Sequence, residues 1–158
     1  MHVWAGAIYT DAKFTTGTPA PKYLDWNLWL GPAAERPYSE GVHPFTWRKF
    51  WEYGTGSLGD FGCHYMDLPH WALELRSPTS VEATGTPYDP VSCPGYCLAK
   101  YRYPARGKFP ACTLHWYDSG KQPEVLTSLK HTKVKPETWK SGVLFVGIAF
   151  GMLMSLIS

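Results

Sequence analysis

SLGDFGCHYMDLPHWALEL, Ser57–Leu75, is the one long helical stretch in a chain otherwise built of turns and short extended segments. Gly54-Thr55-Gly56 before it offers a turn, and Ser57 then offers a hydroxyl N-cap. Pro69 has no N–H for the carbonyl of residue 65, so a break or kink is expected there. Ser77-Pro78-Thr79 closes the segment. Downstream lie Ser80–Thr86 (SVEATGT), Cys97–Tyr103 (CLAKYRY) and Cys112–Tyr117 (CTLHWY), rich in β-formers and partly alternating. Pro104–Pro110 (PARGKFP) joins two of them, and Asp118-Ser119-Gly120 is a turn signal. No helical pattern separates these strands. That segregation predicts an α+β domain: a mostly antiparallel open sheet, one main helix and long Pro/Gly-rich loops. With no alternating βαβ order and no Gly-x-Gly-x-x-Gly after a strand, a Rossmann domain is expected to be absent.

Upstream, residues 1–9 (MHVWAGAIY) read as a strand that starts mid-fold, with no signal peptide before it, so a cytoplasmic location is the default. Residues 10–23 form a loop, Leu24–Leu30 (LDWNLWL) a short aromatic segment, and residues 31–46 a Pro-rich loop. The expected division is a single domain, 1–158, with a loop-rich entry (1–50), a helix (55–76) and a sheet (80–154).

The apolar fraction is 44%, enough for a core, and aromatics reach 16% with eight Trp and ten Tyr, which together exclude disorder. The eight Trp are read mostly as core, with sugar stacking the lesser alternative. A net charge of +2 with scattered Lys and Arg provides no basic face, so nucleic acid is not expected as a partner. Cys63, Cys93, Cys97 and Cys112 are read as free buried thiols, since a chain with a core does not need disulfides.

The chemistry concentrates on the helix. At about 100° per residue, Asp60, His64 and Asp67 fall within roughly 60° of one another. Two carboxylates then flank one imidazole, an arrangement suited to a general acid/base at a substrate hydroxyl. A polar stripe with an Asp–His pair satisfied inside the fold is the alternative, and spacing alone leaves it open. Cys63, His64 and the two Asp could ligate a metal, but no Cys-x-x-Cys or His-Glu-x-x-His pattern is present and no metal is expected. No Gly-x-Ser-x-Gly elbow marks a serine nucleophile.

Several blocks occur in order: LDWNLWLGP at 24–32, ERPY at 35–38, Pro44-Phe45-x-Trp47-Arg48, GTGSLGDFGCH at 54–64, Trp71-Ala72-Leu73, PTSVEA at 78–83, YPARG at 103–107 and WYD at 116–118. Together they resemble one bacterial branch of the Gfo/Idh/MocA oxidoreductases, over roughly residues 2–154 of the substrate-side C-terminal domain. The resemblance implies a partner Rossmann domain binding NAD or NADP, oxidation of a sugar or cyclitol hydroxyl, and a sheet that shapes the substrate site and the oligomer interface. It assigns His64 as the catalytic histidine and Asp60 as the aspartate one turn earlier. Arg48 and Asp67 are candidate substrate-binding residues, Arg48 also fitting a structural ion pair. The family's catalytic lysine, in a Glu-Lys-Pro motif, and its phosphate loop are not found in these residues. The expectation is therefore a fragment inactive alone, binding neither NAD nor NADP by itself and partnered by a sugar-like small molecule. A second copy packing through the sheet, or a separate nucleotide-binding chain, is the expected protein partner. A non-catalytic carbohydrate-binding or interaction module is the alternative.

Gly142–Ser158 carries no charge and, with Lys140 as a flank, lies at the short end for a membrane span. The resemblance favours a β-hairpin with Ile148-Ala149-Phe150 at its turn and an early end at Leu156-Ile157-Ser158, so membrane association is not the preferred reading. A C-terminally truncated sheet is expected to be marginal, aggregating or dimerising.

Overall fold

The structure, a computed structural model, describes residues 1–129, 135–147 and 151–154. Six strands form one sheet: β1 His2–Trp4, β2 Ser80–Gly85, β3 Cys97–Tyr103, β4 Cys112–Tyr117, β5 Gly142–Val146 and β6 Gly151–Met154. Their order is β2-β3-β4-β1-β5-β6. Every pairing is antiparallel except β1 with β4. The helices are α1 Trp26–Leu30, α2 Gly56–Ala72 and α3 Val125–Ser128, with short 3-10 helices at Thr46–Lys49 and Pro136–Thr138. The α+β reading therefore holds, with α2 as the main helix, and no Rossmann unit is evident among the described residues.

Register explains the two faces. Ala83, Ala99, Trp116, Val3 and Val143 are successive cross-strand partners. With Tyr65 of α2 and Leu114, the last four of these belong to one buried core, against which Leu58, Phe61 and Met66 of α2 also pack. One residue out of phase, Trp4 and Leu144 face the other way and pack on Leu126 of α3. The Trp4 ring lies across β5, so a Cβ at Gly142 would stand 2.6 Å from it. A third core, Ala12, Val42 and Phe50, gathers the aromatic-rich entry loops.

Several local expectations change. Only His2–Trp4 of residues 1–9 is strand. Ser57 does not cap α2: Thr55 holds that position without a side-chain bond, and the Ser57 hydroxyl instead donates to the Ala7 carbonyl at 2.9 Å. Helix α2 continues through Pro69, at the loss of the one N–H bond to the Tyr65 carbonyl. Termination comes instead at Glu74 (φ 52°), beyond which the Leu75 N–H closes back on the His70 carbonyl at 2.9 Å. All four cysteines are free, but only Cys93 is buried: Cys97 and Cys112 are partly exposed and Cys63 is exposed. At the C-terminal end β5 and β6 pair as a hairpin, whereas Ile148-Ala149-Phe150 and Leu156-Ile157-Ser158 lie outside the described residues. Among the described residues no helix is long and apolar enough to cross a membrane.

On the face away from α2, His2 lies directly opposite His115, their rings stacked with centroids 5.0 Å apart, and His2 Nδ1 hydrogen-bonds the Tyr117 hydroxyl at 3.1 Å. Burial, then the nearby N-terminal ammonium and His115, pushes the His2 imidazole down to about 4 from 6.5. Between those values the unfolded chain takes up a proton that the folded chain refuses, so stability is lost as pH falls from 6.5 towards 4. After allowance for solvent screening, a loss on the order of 1–2 kcal/mol is expected. Urea midpoints measured across this range should fall, and His2→Gln should flatten the slope; an unchanged slope would refute the assignment.

Candidate functional site

The first half of α2 presents the site. Asp60 sits in its second turn, and its carboxylate Oδ2 accepts from Arg48 Nε at 3.2 Å, joining the helix to the 3-10 helix at Thr46–Lys49. A second arginine nitrogen donates to the Phe45 carbonyl at 3.1 Å. The guanidinium lies 4.4 Å from the Trp47 ring centroid and 4.5 Å from that of Phe45, within cation–π range. Gly54 makes this placement possible: a Cβ there would stand 2.6 Å from the Arg48 Cα and carbonyl oxygen.

Tyr9 completes the frame. Its ring packs on Phe61 and meets Phe45 at an angle, both with centroids 6.1 Å apart. Burial raises the Tyr9 phenol above its ordinary value, and the Asp60 carboxylate pushes the same way, against the opposing Arg48 charge. Phe61 stacks on Tyr65 and turns an edge towards His64, 5.8 Å away.

Of the four residues singled out by sequence, Asp60 and Arg48 are brought together. His64 and Asp67 project from the same helix, both exposed. Among the described residues neither side chain has a hydrogen-bond partner. The flanking carboxylates thus do not hold the imidazole here: Asp60 is turned to Arg48, whose stacked guanidinium fork holds a carboxylate better than an imidazole one turn away. Tyr9, Phe45 and Phe61 went unread as site residues, because an aromatic frame collected from three distant segments has no local signature.

A pocket of about 320 Å³ opens at the first turn of α2, lined by Trp51, Ser57, Leu58, Pro94, Cys97 and Asp118 among others, though by none of the four site residues. Asp118, only 2% exposed, accepts the Cys97 N–H at 2.7 Å and the Trp116 indole N–H at 3.0 Å. Burial raises its carboxyl pKa, and these donors oppose the rise. Among the described residues no group of three or more His, Cys, Asp or Glu is placed to hold a metal ion.

The model of an oxidoreductase family, described as its C-terminal alpha/beta domain and named for Gfo/Idh/MocA, matches residues 2–108. The chain belongs to the Gfo/Idh/MocA oxidoreductase family. No curated protein matches it. The matched span of this Gfo/Idh/MocA domain takes in β1, α2, β2, β3 and all four site residues, and it ends before β4.

If Gly54 secures Arg48 by close approach, Gly54→Ala should lower stability by on the order of 2 kcal/mol. An Arg48→Ala/Asp60→Asn double-mutant cycle should return a coupling of about 0.5–1 kcal/mol in urea unfolding. Additive single effects would show that the pair contributes nothing.

Proposed function

We propose that this chain is the substrate-side domain of an NAD- or NADP-dependent oxidoreductase acting on a sugar or cyclitol hydroxyl. The observation that carries the reading is an exposed imidazole, His64, one helical turn past a carboxylate fixed by an arginine, inside the span matched by the family. His64 is the general acid/base: the substrate hydroxyl gives it a proton as the carbinol is oxidised and recovers it in the reverse direction. Asp60, anchored by Arg48, accepts a hydrogen bond from a neighbouring substrate hydroxyl and so fixes which carbon faces the imidazole. Arg48 has donors left for a substrate oxygen, and Asp67 lies a turn beyond His64 to orient the ring or a further hydroxyl. Arg48 and Asp60 offset one another's charge, which suits an uncharged polyol.

The described residues form no cradle for a dinucleotide. Among the described residues the sheet holds a single parallel pair and no βαβ unit, and the Gly-x-Gly-x-x-Gly run at Gly54–Gly59 enters α2 from a turn rather than from a strand. The nucleotide therefore does not fit these residues, and the electron acceptor belongs to a nucleotide-binding domain or a separate chain.

The expressed 158 residues should bind neither NAD(H) nor NADP(H) in isothermal titration, and should oxidise no polyol when supplied with either. Micromolar nucleotide binding by this chain would overturn the assignment of roles.

A further inference from the structure

The sheet face away from α2 carries a second group of titratable side chains. Glu82, Lys100, His115 and His2 are successive cross-strand partners on β2, β3, β4 and β1, so they form one row across that face. Arg102 and Tyr117 flank the row, two residues along β3 and β4. A cavity of about 250 Å³ opens over it, lined by Glu82, Thr84, Leu98, Lys100, His115 and Tyr117 among others. Asp60, His64, Asp67 and Arg48 take no part in its walls.

Charge in this row is not balanced. Glu82 is taken up by Arg102, which also donates to the Ser80 hydroxyl at 3.2 Å. Lys100, half-buried beside them, has neither an ion pair nor a hydrogen bond among the described residues. Neither ring nitrogen of His115 has a partner there, and His2 has only Nδ1 occupied, by the Tyr117 hydroxyl. The two imidazoles stack 5.0 Å apart. Burial first, then positive neighbours, push both below their ordinary value: the Met1 ammonium and His115 act on His2, and that ammonium, Lys100 and Arg102 act on His115. The carboxylates facing the group are Glu82, already paired, and Glu124, beside Tyr117. An unpaired ammonium and two imidazoles with free nitrogens therefore share one half-buried cavity in a positive field. A metal cation would meet repulsion there, and an anion attraction.

We propose that this cavity binds a compact oxyanion, a phosphate group either free or esterified. Lys100 supplies a point charge with three donors, Thr84 a hydroxyl, and His115 and the free Nε2 of His2 further N–H donors once protonated. Binding takes up protons, because the anion offsets the positive field that keeps the imidazoles neutral. Affinity for an anion of constant charge therefore rises as pH falls. In an ester, the organic part lies on Leu98. The site is on the opposite face of the sheet from α2 and is independent of the His64 reading.

The test is titration of the 158-residue chain with sodium sulfate, a dianion throughout the range, against sodium chloride at equal ionic strength. Histidine ring ¹H–¹³C resonances are followed at about pH 7 and about pH 5.5. Saturable millimolar binding is expected with sulfate and not with chloride, shifting the His2 and His115 signals and tightening by about fivefold or more at the lower pH. Lys100→Gln should weaken binding and Glu82→Gln strengthen it, each by about three- to fivefold, while His64→Ala leaves it unaltered. Should Lys100→Gln fail to fold, Glu82→Gln decides. Inorganic phosphate and phenyl phosphate are then compared at about pH 7: an ester bound about tenfold tighter assigns an esterified ligand, and near-equal binding assigns the free ion. Three results each overturn the proposal: ring shifts no larger in sulfate than in chloride, affinity that falls on acidification, or affinity indifferent to both Lys100→Gln and Glu82→Gln.

Discussion

Strand β1 is three residues long, yet both sheet cores hang from it. Val3 and Trp4, each fully buried, point to opposite faces, Val3 into the core under α2 and Trp4 into the core under α3. The strand is held on one edge by β4 in parallel and on the other by β5 in antiparallel. Truncating a buried tryptophan removes about 3–5 kcal/mol, a large share of the stability of a small domain. The chain leaving β1 then reaches the site. The Ala7 carbonyl takes the Ser57 hydroxyl at the start of α2, and Tyr9 packs on Phe61 beside Asp60. Insertion of β1 between β4 and β5 thus fixes the sheet and sets where the first half of α2 faces.

How much of this was legible depended on range. Local patterns sufficed for α2, β2, β3 and β4, because helix spacing and alternation are written within a few residues. The common face of Asp60, His64 and Asp67 followed from the same periodicity. The parallel pairing of β1 with β4 was not legible, since it joins residues more than a hundred apart and nothing in MHVWAGAIY specifies a neighbour. Pro69 misled because a proline removes a single N–H bond, to the carbonyl four residues before it, and α2 carries on past that loss to Ala72. Ser57 misled because Ala7, distant in sequence, outcompeted the helix's own N–H groups for its hydroxyl. Helix α3 lay in a polar stretch with too few residues to show a period.

The site shows the same division. Spacing placed an imidazole between two carboxylates, but side-chain direction and a competing cation decided the pairing. Arg48 reaches Asp60 from a separate element and is itself braced by Phe45 and Trp47. An arginine in that setting is a fixed donor array, and it converts Asp60 from a partner of His64 into an anchored acceptor. His64 is left exposed and unencumbered, the condition a proton-transfer group requires if substrate is to approach it. Arg36–Glu52 is a second such pair, its guanidinium resting over the Phe14 ring.

The central claim is that His64 moves the substrate's hydroxyl proton while Arg48 and Asp60 hold position. The most direct test is the kcat for polyol oxidation of His64→Ala after this chain is joined to a nucleotide-binding partner. The account predicts a fall of about a hundredfold or more, with the circular-dichroism spectrum and urea midpoint unaltered because the side chain is exposed. A kcat within a few-fold of the unaltered protein would contradict it.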